Sequence, residues 1–113
     1  MNKTFDLQTS AFDGANALRL YLHYDKGNGW NRRRGYYLSV RPVEIEEKVY
    51  NGVTIQSVGF VGVDDRAKSF FLSESARFNR RIFEMYVERV EQNKEKILAA
   101  WEKGDYSSVW DYV

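Results

Sequence analysis

Apolar and polar residues alternate through the first two-thirds of the chain, and then the period changes. Phe5 and Leu7 are separated by polar neighbours. From Ala17 to Tyr24 the alternation is complete: Leu18, Leu20, Leu22 and Tyr24 share one face, and Arg19, Tyr21 and His23 share the other. Period two marks a half-buried strand, because successive side chains point to opposite sides of a sheet. A second strand is expected from about Gly35 to Arg41, with Tyr36, Leu38 and Val40 on one face. The two pair naturally as a hairpin whose long tip runs from Lys26 to Arg34. Pro42 has no N–H to give to a ladder, so it is expected to end that strand or to lie on an edge.

Turn chemistry supplies the rest of the β pattern. Phe12-Asp13-Gly14-Ala15 reads as a tight turn, since Asp-Gly tolerates positive φ. Val49-Tyr50-Asn51-Gly52-Val53-Thr54 is the strongest hairpin signal, because Asn-Gly suits a type I′ turn. It places strands at about Ile45–Tyr50 and Val53–Val61. Gly59 and Gly62 suggest a bulge or close packing near the end of the second. Asp64-Asp65-Arg66 reads as a turn, and Ser69–Leu72 as a short last strand.

The helical period appears after Leu72. At 100° per residue, Ile82, Phe83, Tyr86, Val87, Val90, Ile97, Leu98, Ala100 and Trp101 fall on one arc, with most charges opposite. One long helix over 73–104 accounts for the stripe, with Ser73 or Ser75 as candidate N-caps and Gly104 at the C′ position. Asn93 interrupts the arc, and a break there is the alternative. Residues 105–113 are expected to fold back as a short turn or helix, and Trp110 and Val113 need something to bury them. The reading is a single α+β domain over 1–113. It has an antiparallel meander of about five or six strands, then one long C-terminal helix packed on one sheet face.

Composition narrows the function classes. Apolar residues make up 43% of the chain and charged residues 29%, which argues for a folded domain and against disorder. There is no cysteine, so a disulfide framework, thiol catalysis and a cysteine-ligated zinc or iron–sulfur site are excluded. The N-terminal MNKTFDLQTS has no apolar core of a signal peptide, and no apolar run reaches the length of a membrane span. A cytoplasmic protein is expected. Net charge is +1, but residues 1–43 carry +4, residues 44–75 carry −3 and residues 76–113 are neutral. Any electrostatic attraction is therefore local rather than spread over the whole surface.

The densest positive charge is Trp30-Asn31-Arg32-Arg33-Arg34-Gly35-Tyr36-Tyr37. Guanidinium groups bind carboxylates and phosphates in a fork geometry, and Trp and Tyr add buried contact area. Arg32, Arg33 and Arg34 with Trp30 and Tyr37 are thus the candidate partner-binding residues, against the plain alternative of a solvated hairpin tip. Arg77, Arg80 and Arg81 form a second basic cluster, in which Arg77 and Arg81 are expected to share a helix face. Cations are disfavoured at a helix N-terminus, so Arg77 and Arg81 also point to an acidic partner, against the plain alternative of neutralisation by Glu74, Glu84 or a neighbouring strand.

The other chemical candidates carry less. His23 is alone and has no cysteine companions, so an exposed or edge histidine is expected rather than a ligand. Asp64-Asp65 lacks calcium-loop spacing, and Gly27-Asn28-Gly29 lacks the P-loop Lys-Ser/Thr. No catalytic residue, metal site or cofactor is expected.

The run Arg34-Gly35-Tyr36-Tyr37-Leu38-Ser39-Val40-Arg41-Pro42-Val43-Glu44 resembles stretches in small uncharacterised proteins carried on mobile elements of gut bacteria. The likeness covers about a tenth of the chain and brings no functional residue with it. It implies a bacterial accessory protein of a plasmid, conjugative element or phage, acting by binding host or element machinery.

These readings converge on a non-enzymatic binding protein that presents the basic–aromatic loop over 30–37 to an acidic protein partner. The alternative is a small nucleic-acid-binding protein using the same loop, and a small enzyme ranks last. Monomer and dimer are both open from the sequence.

Overall fold

A computed structural model describes residues 2–9, 15–27, 33–60 (backbone alone at 58–60) and 68–113. Among them are strands β1 (Asn2–Gln8), β2 (Ala17–Asp25), β3 (Gly35–Tyr50), β4 (Val53–Phe60) and β5 (Lys68–Glu74). Helix α1 (Arg80–Glu102) and a 3-10 helix over Tyr106–Tyr112 follow. Every strand pairing is antiparallel, so the architecture is α+β, as the change of period predicts.

Strand β3 is the axis of the sheet. Leu38 pairs with Leu22 of β2 on one edge and with Phe70 of β5 on the other. Val43 pairs with Ala17 of β2 and with Phe60 of β4. Strands β4 and β5 therefore lie end to end along the same edge of β3. Beyond Val43 the strand outruns β2, and with β4 it forms a two-stranded arm. The arm closes through Asn51 (φ 50°) and Gly52 (φ 81°), the pair of left-handed residues a type I′ turn needs.

The break expected at Pro42 is absent. One 16-residue strand replaces the two expected over 35–41 and 45–50. The reason is local. Strand β5 pairs with residues 35–40 of β3 and β4 with residues 43–50, so positions 41 and 42 fall in the gap between them. Bonding direction alternates along a strand, and Val43 accepts from Asn16 on the β2 side. The nitrogen of Pro42 consequently faces the gap, where no ladder bond is lost. A bulge does occur, but between Tyr36 and Tyr37 against β5 rather than at Gly59. Gly35 is required there, because a Cβ would run into the carbonyl oxygen of Ser73.

The core lies between one sheet face and α1. Phe5, Leu7, Leu18, Leu20, Leu22, Tyr36, Leu38, Val40 and Phe70 meet Phe83, Tyr86, Val90, Ile97 and Trp101. All but Phe70 are the period-two and helical positions read from the sequence, and each fully buried Leu or Val contributes about 1.5–3 kcal/mol.

Helix α1 begins later than 73. Residues 73 and 74 belong to β5, and the N-cap is Asn79, whose side-chain oxygen accepts from the N–H of Ile82 at 3.1 Å. Neither Ser73 nor Ser75 caps it. The Tyr36 hydroxyl fixes this end: it accepts from the Asn79 N–H at 2.8 Å and donates to the Asn79 carbonyl at 3.1 Å. The helix runs unbroken through Asn93, whose amide instead donates to the carbonyls of Arg89 (3.1 Å) and Tyr112 (3.3 Å). At the other end Gly104 has φ 76°. Its N–H donates to Trp101 O and that of Asp105 to Ala100 O, each at 3.0 Å, which is a Schellman closure.

The terminal 3-10 helix folds back on α1, as expected, and fully buries Val109. Trp110 stays 46% exposed, edge-on to Phe70 at 5.3 Å, so the core does not bury it. Asp105 accepts from the hydroxyls of Ser108 (2.5 Å) and Ser107 (3.2 Å), and these bonds hold its carboxyl below the usual carboxylate range. Among the described residues no helix is long and apolar enough to cross a membrane.

Candidate functional site: a basic–aromatic groove at the hairpin base

Trp30 and Arg32 of the expected loop site lie outside the described residues, as do Asp64 and Asp65. The other members divide between two places. Arg33 turns toward the sheet face away from α1. Its guanidinium lies 4.2 Å from the centre of the Phe71 ring, and it meets Glu74 at 3.4 Å with both side chains largely exposed. Tyr37 is only 9% exposed, and its hydroxyl donates to the Arg33 carbonyl at 2.6 Å. It therefore fixes the base of the loop rather than offering contact area.

Arg34 points the opposite way. It donates from Nε to the Lys26 carbonyl at 2.8 Å and from Nη1 to the Ala76 carbonyl at 3.3 Å. The backbone supports this, because the Ser75 N–H donates to the Arg34 carbonyl at 3.0 Å. Residues 43 positions apart are thereby brought side by side, and Arg34 and Arg77 line one groove. The groove encloses about 530 Å³ between Tyr24, Lys26, Arg34, Ala76, Arg77 and Phe78. Tyr24 and Phe78 form its aromatic wall, with ring centres 5.7 Å apart, and the Tyr24 hydroxyl donates to the Ser75 carbonyl at 2.9 Å. Among the described residues three cations line the groove and no carboxylate does.

The second basic cluster is rearranged by the late helix start. Arg77 precedes α1, so it does not share a helix face with Arg81. Its place is set by the turn over 75–79, where the Ser75 hydroxyl donates to the Arg77 carbonyl at 2.5 Å. Arg80 and Arg81 occupy the first turn, which has no acidic residue. Arg80 meets Glu84 at 2.9 Å across an exposed i,i+4 pair, worth a few tenths of a kcal/mol. Arg81 is exposed and makes no ion pair among the described residues.

The residues that sequence reasoning did not select are Tyr24, Lys26 and Phe78. Tyr24 reads only as the last apolar position of β2, and Phe78 is not among the positions of the helical arc. Tyr24 and Lys26 share one signal, the end of the 17–24 alternation beside the basic tip, which marks where a strand hands over to a loop; Phe78 has none.

His23 is not an isolated surface ring. It stacks between Tyr21 (4.8 Å) and Tyr37 (5.7 Å) on the face away from α1. Beside this row Arg19 forms a forked pair with Asp6, at 2.8 and 3.0 Å, and that bond raises the guanidinium above its ordinary pKa. Among the described residues no three His, Asp or Glu side chains are grouped to hold a metal ion.

No family model, curated protein or solved structure matches the chain. What the site can do must follow from its geometry.

Proposed function

We propose that the protein is a non-enzymatic binding module that receives an acidic segment of a protein partner in the groove of Lys26, Arg34 and Arg77. The observation that carries this reading is the convergence of three cations and two aromatic rings on one concavity with no carboxylate among the described residues of its lining. Like charges held together without internal compensation favour an anion, and flanking aromatics favour the apolar part of a side chain over bare solvent. Arg34 is pre-positioned by two backbone carbonyls, so little conformational freedom remains for a partner to remove.

The test is titration of an oligoglutamate peptide followed by calorimetry, with Arg77→Ala as the principal variant. Arg77 is exposed and its side chain makes no ion pair among the described residues, so its loss leaves stability within about 0.5 kcal/mol of the parent. Affinity is expected to fall at least about tenfold, the scale of one charge-assisted hydrogen bond. Unchanged affinity in Arg77→Glu would remove the groove as the site. Tight oligonucleotide binding whose affinity falls steeply with salt, with no response to the peptide, would put the nucleic-acid alternative first.

A further inference from the structure

The two-stranded arm carries apolar side chains that no described residue covers. Val49, Tyr50, Val53 and Ile55 are 70%, 65%, 60% and 49% exposed. Its two long edges are treated differently. On the β3 edge, the Asn16 carboxamide accepts from the Ile45 N–H at 2.7 Å and donates to the Ile45 carbonyl at 2.8 Å, in the manner of a neighbouring strand. Glu44, Glu46, Glu47 and Lys48 add charge along that strand, a common way of discouraging edge pairing. The β4 edge has no such protection among the described residues. Val53-Thr54-Ile55-Gln56-Ser57-Val58-Gly59-Phe60 contains no charged residue and no proline. Among the described residues β4 pairs with β3 alone.

The pairing register shows which backbone groups face outward. Ile45 turns its N–H and C=O away from β4, toward Asn16, so its partner Val58 turns its own groups away from β3. Alternation carries the same direction to Gln56, opposite Glu47, and to Thr54, opposite Val49. Thr54, Gln56 and Val58 thus present a regular row of donors and acceptors on an uncharged edge.

We infer that this edge pairs with the β4 edge of a second copy of the chain, antiparallel about a two-fold axis at Gln56. In that register Gln56 faces Gln56 of the second copy, and Thr54 and Val58 face each other in both directions, so all three outward residues are bonded. Centring on Ser57 instead would set Thr54 against Phe60, where β4 returns to the body; the Gln56 register keeps all of these ladder bonds on the arm. Charge fits a second copy better than a charged partner. The edges are neutral, and the two acidic β3 strands end up three strand spacings apart, about 14 Å. That exceeds the Debye length of about 8 Å at physiological salt, so their repulsion is largely screened. Ile55 of each copy lies diagonal to the other, within reach across the join. This inference is independent of the groove, which lies at the opposite end of β3.

Sedimentation and chemical cross-linking test it. The parent is expected to show a concentration-dependent rise from 13.3 kDa toward twice that mass. Gln56→Pro removes an outward N–H and the exposed side-chain bond to Glu47 (3.3 Å) while leaving every backbone bond between β3 and β4, and is expected to weaken association at least tenfold with a nearly unchanged melting curve. Gln56→Lys sets like charges face to face on the axis and should do the same. The chain lacks cysteine, so single Cys replacements report the register: Gln56→Cys should oxidise to a dimer far faster than Ile55→Cys or Ser57→Cys. A chain that stays monomeric into the millimolar range overturns the inference. So does equal cross-linking at the three positions, or association that Gln56→Pro leaves intact.

Discussion

Residues 36–43 and 44–50 belong to one continuous strand and live in different surroundings. The first stretch has β2 and β5 on its edges and α1 across one face, and all but Ser39 and Arg41 are buried. The second has β4 on one edge and the Asn16 amide at one position of the other, and even Val49 is 70% exposed. Hydrophobicity alone does not separate them, since Val49 and Tyr50 are as apolar as Val40 and Tyr37. The difference lies in what crosses the strand. Tyr36, Leu38 and Val40 are buried under α1, Tyr37 is buried on the other face beside His23 and Phe71, and α1 covers only the body. The arm shows what a strand pair becomes without that layer: hydrogen-bonded, registered by its turn, and open to an external neighbour.

The sharpest way to break this comparison is to truncate one apolar side chain in each region. Leu20→Ala should cost about 2–5 kcal/mol in urea unfolding, because Leu20 is fully buried under α1 and leaves a cavity. Ile55→Ala, measured at low protein concentration, should stay within about 0.5 kcal/mol of the parent. Equal losses would mean that the arm packs as a second core. A smaller effect is expected at the root of the arm. Asn16→Ala removes both bonds to Ile45 and should cost about 1 kcal/mol, with faster amide exchange at Ile45 as its local signature. The smallest effect belongs to the tail that closes the body. The Asp105 carboxyl is held below its ordinary range by Ser108 and Ser107, so its contribution is present at neutral pH. It is lost as pH falls through the lowered folded-state value. Tryptophan fluorescence should show an acid step below the usual carboxylate range, and Asp105→Asn should abolish it while the arm is unaffected.

The groove and the bare edge illustrate a second contrast. At the groove, residues far apart in sequence converge because the 75–79 turn is tied to the end of the 26–34 segment by Arg34 and by the Ser75 N–H. Replacing Arg32, Arg33 and Arg34 together would therefore mix partner contacts with structure, since Arg34 holds two carbonyls. Arg77 is the cleaner probe. At the edge, by contrast, the site is a run of adjacent residues whose chemistry is continuous along the chain.

What was legible in the sequence followed from short-range physics. Period two located β1, β2 and the Gly35 end of β3; Asn51-Gly52 located the arm; period 3.6 located the core face of α1; and Gly104 marked the helix end. Each depends on neighbours within a few residues, so the chain itself carries the signal. The passage of β3 through Pro42 was not legible, because proline is tolerated there only where β4 and β5 leave a gap beside it. The helix start was misplaced because Asn79 competes with two serines as a cap, and the choice is made by the Tyr36 hydroxyl, 43 positions earlier in the chain. The pairing of Arg34 with Arg77 was invisible for the same reason. Sequence by itself determined which faces are apolar and where the chain turns. Only the tertiary structure decided which faces are covered, which edges are guarded and which cations share a groove, because each of those depends on segments that meet only when the sheet closes under the helix.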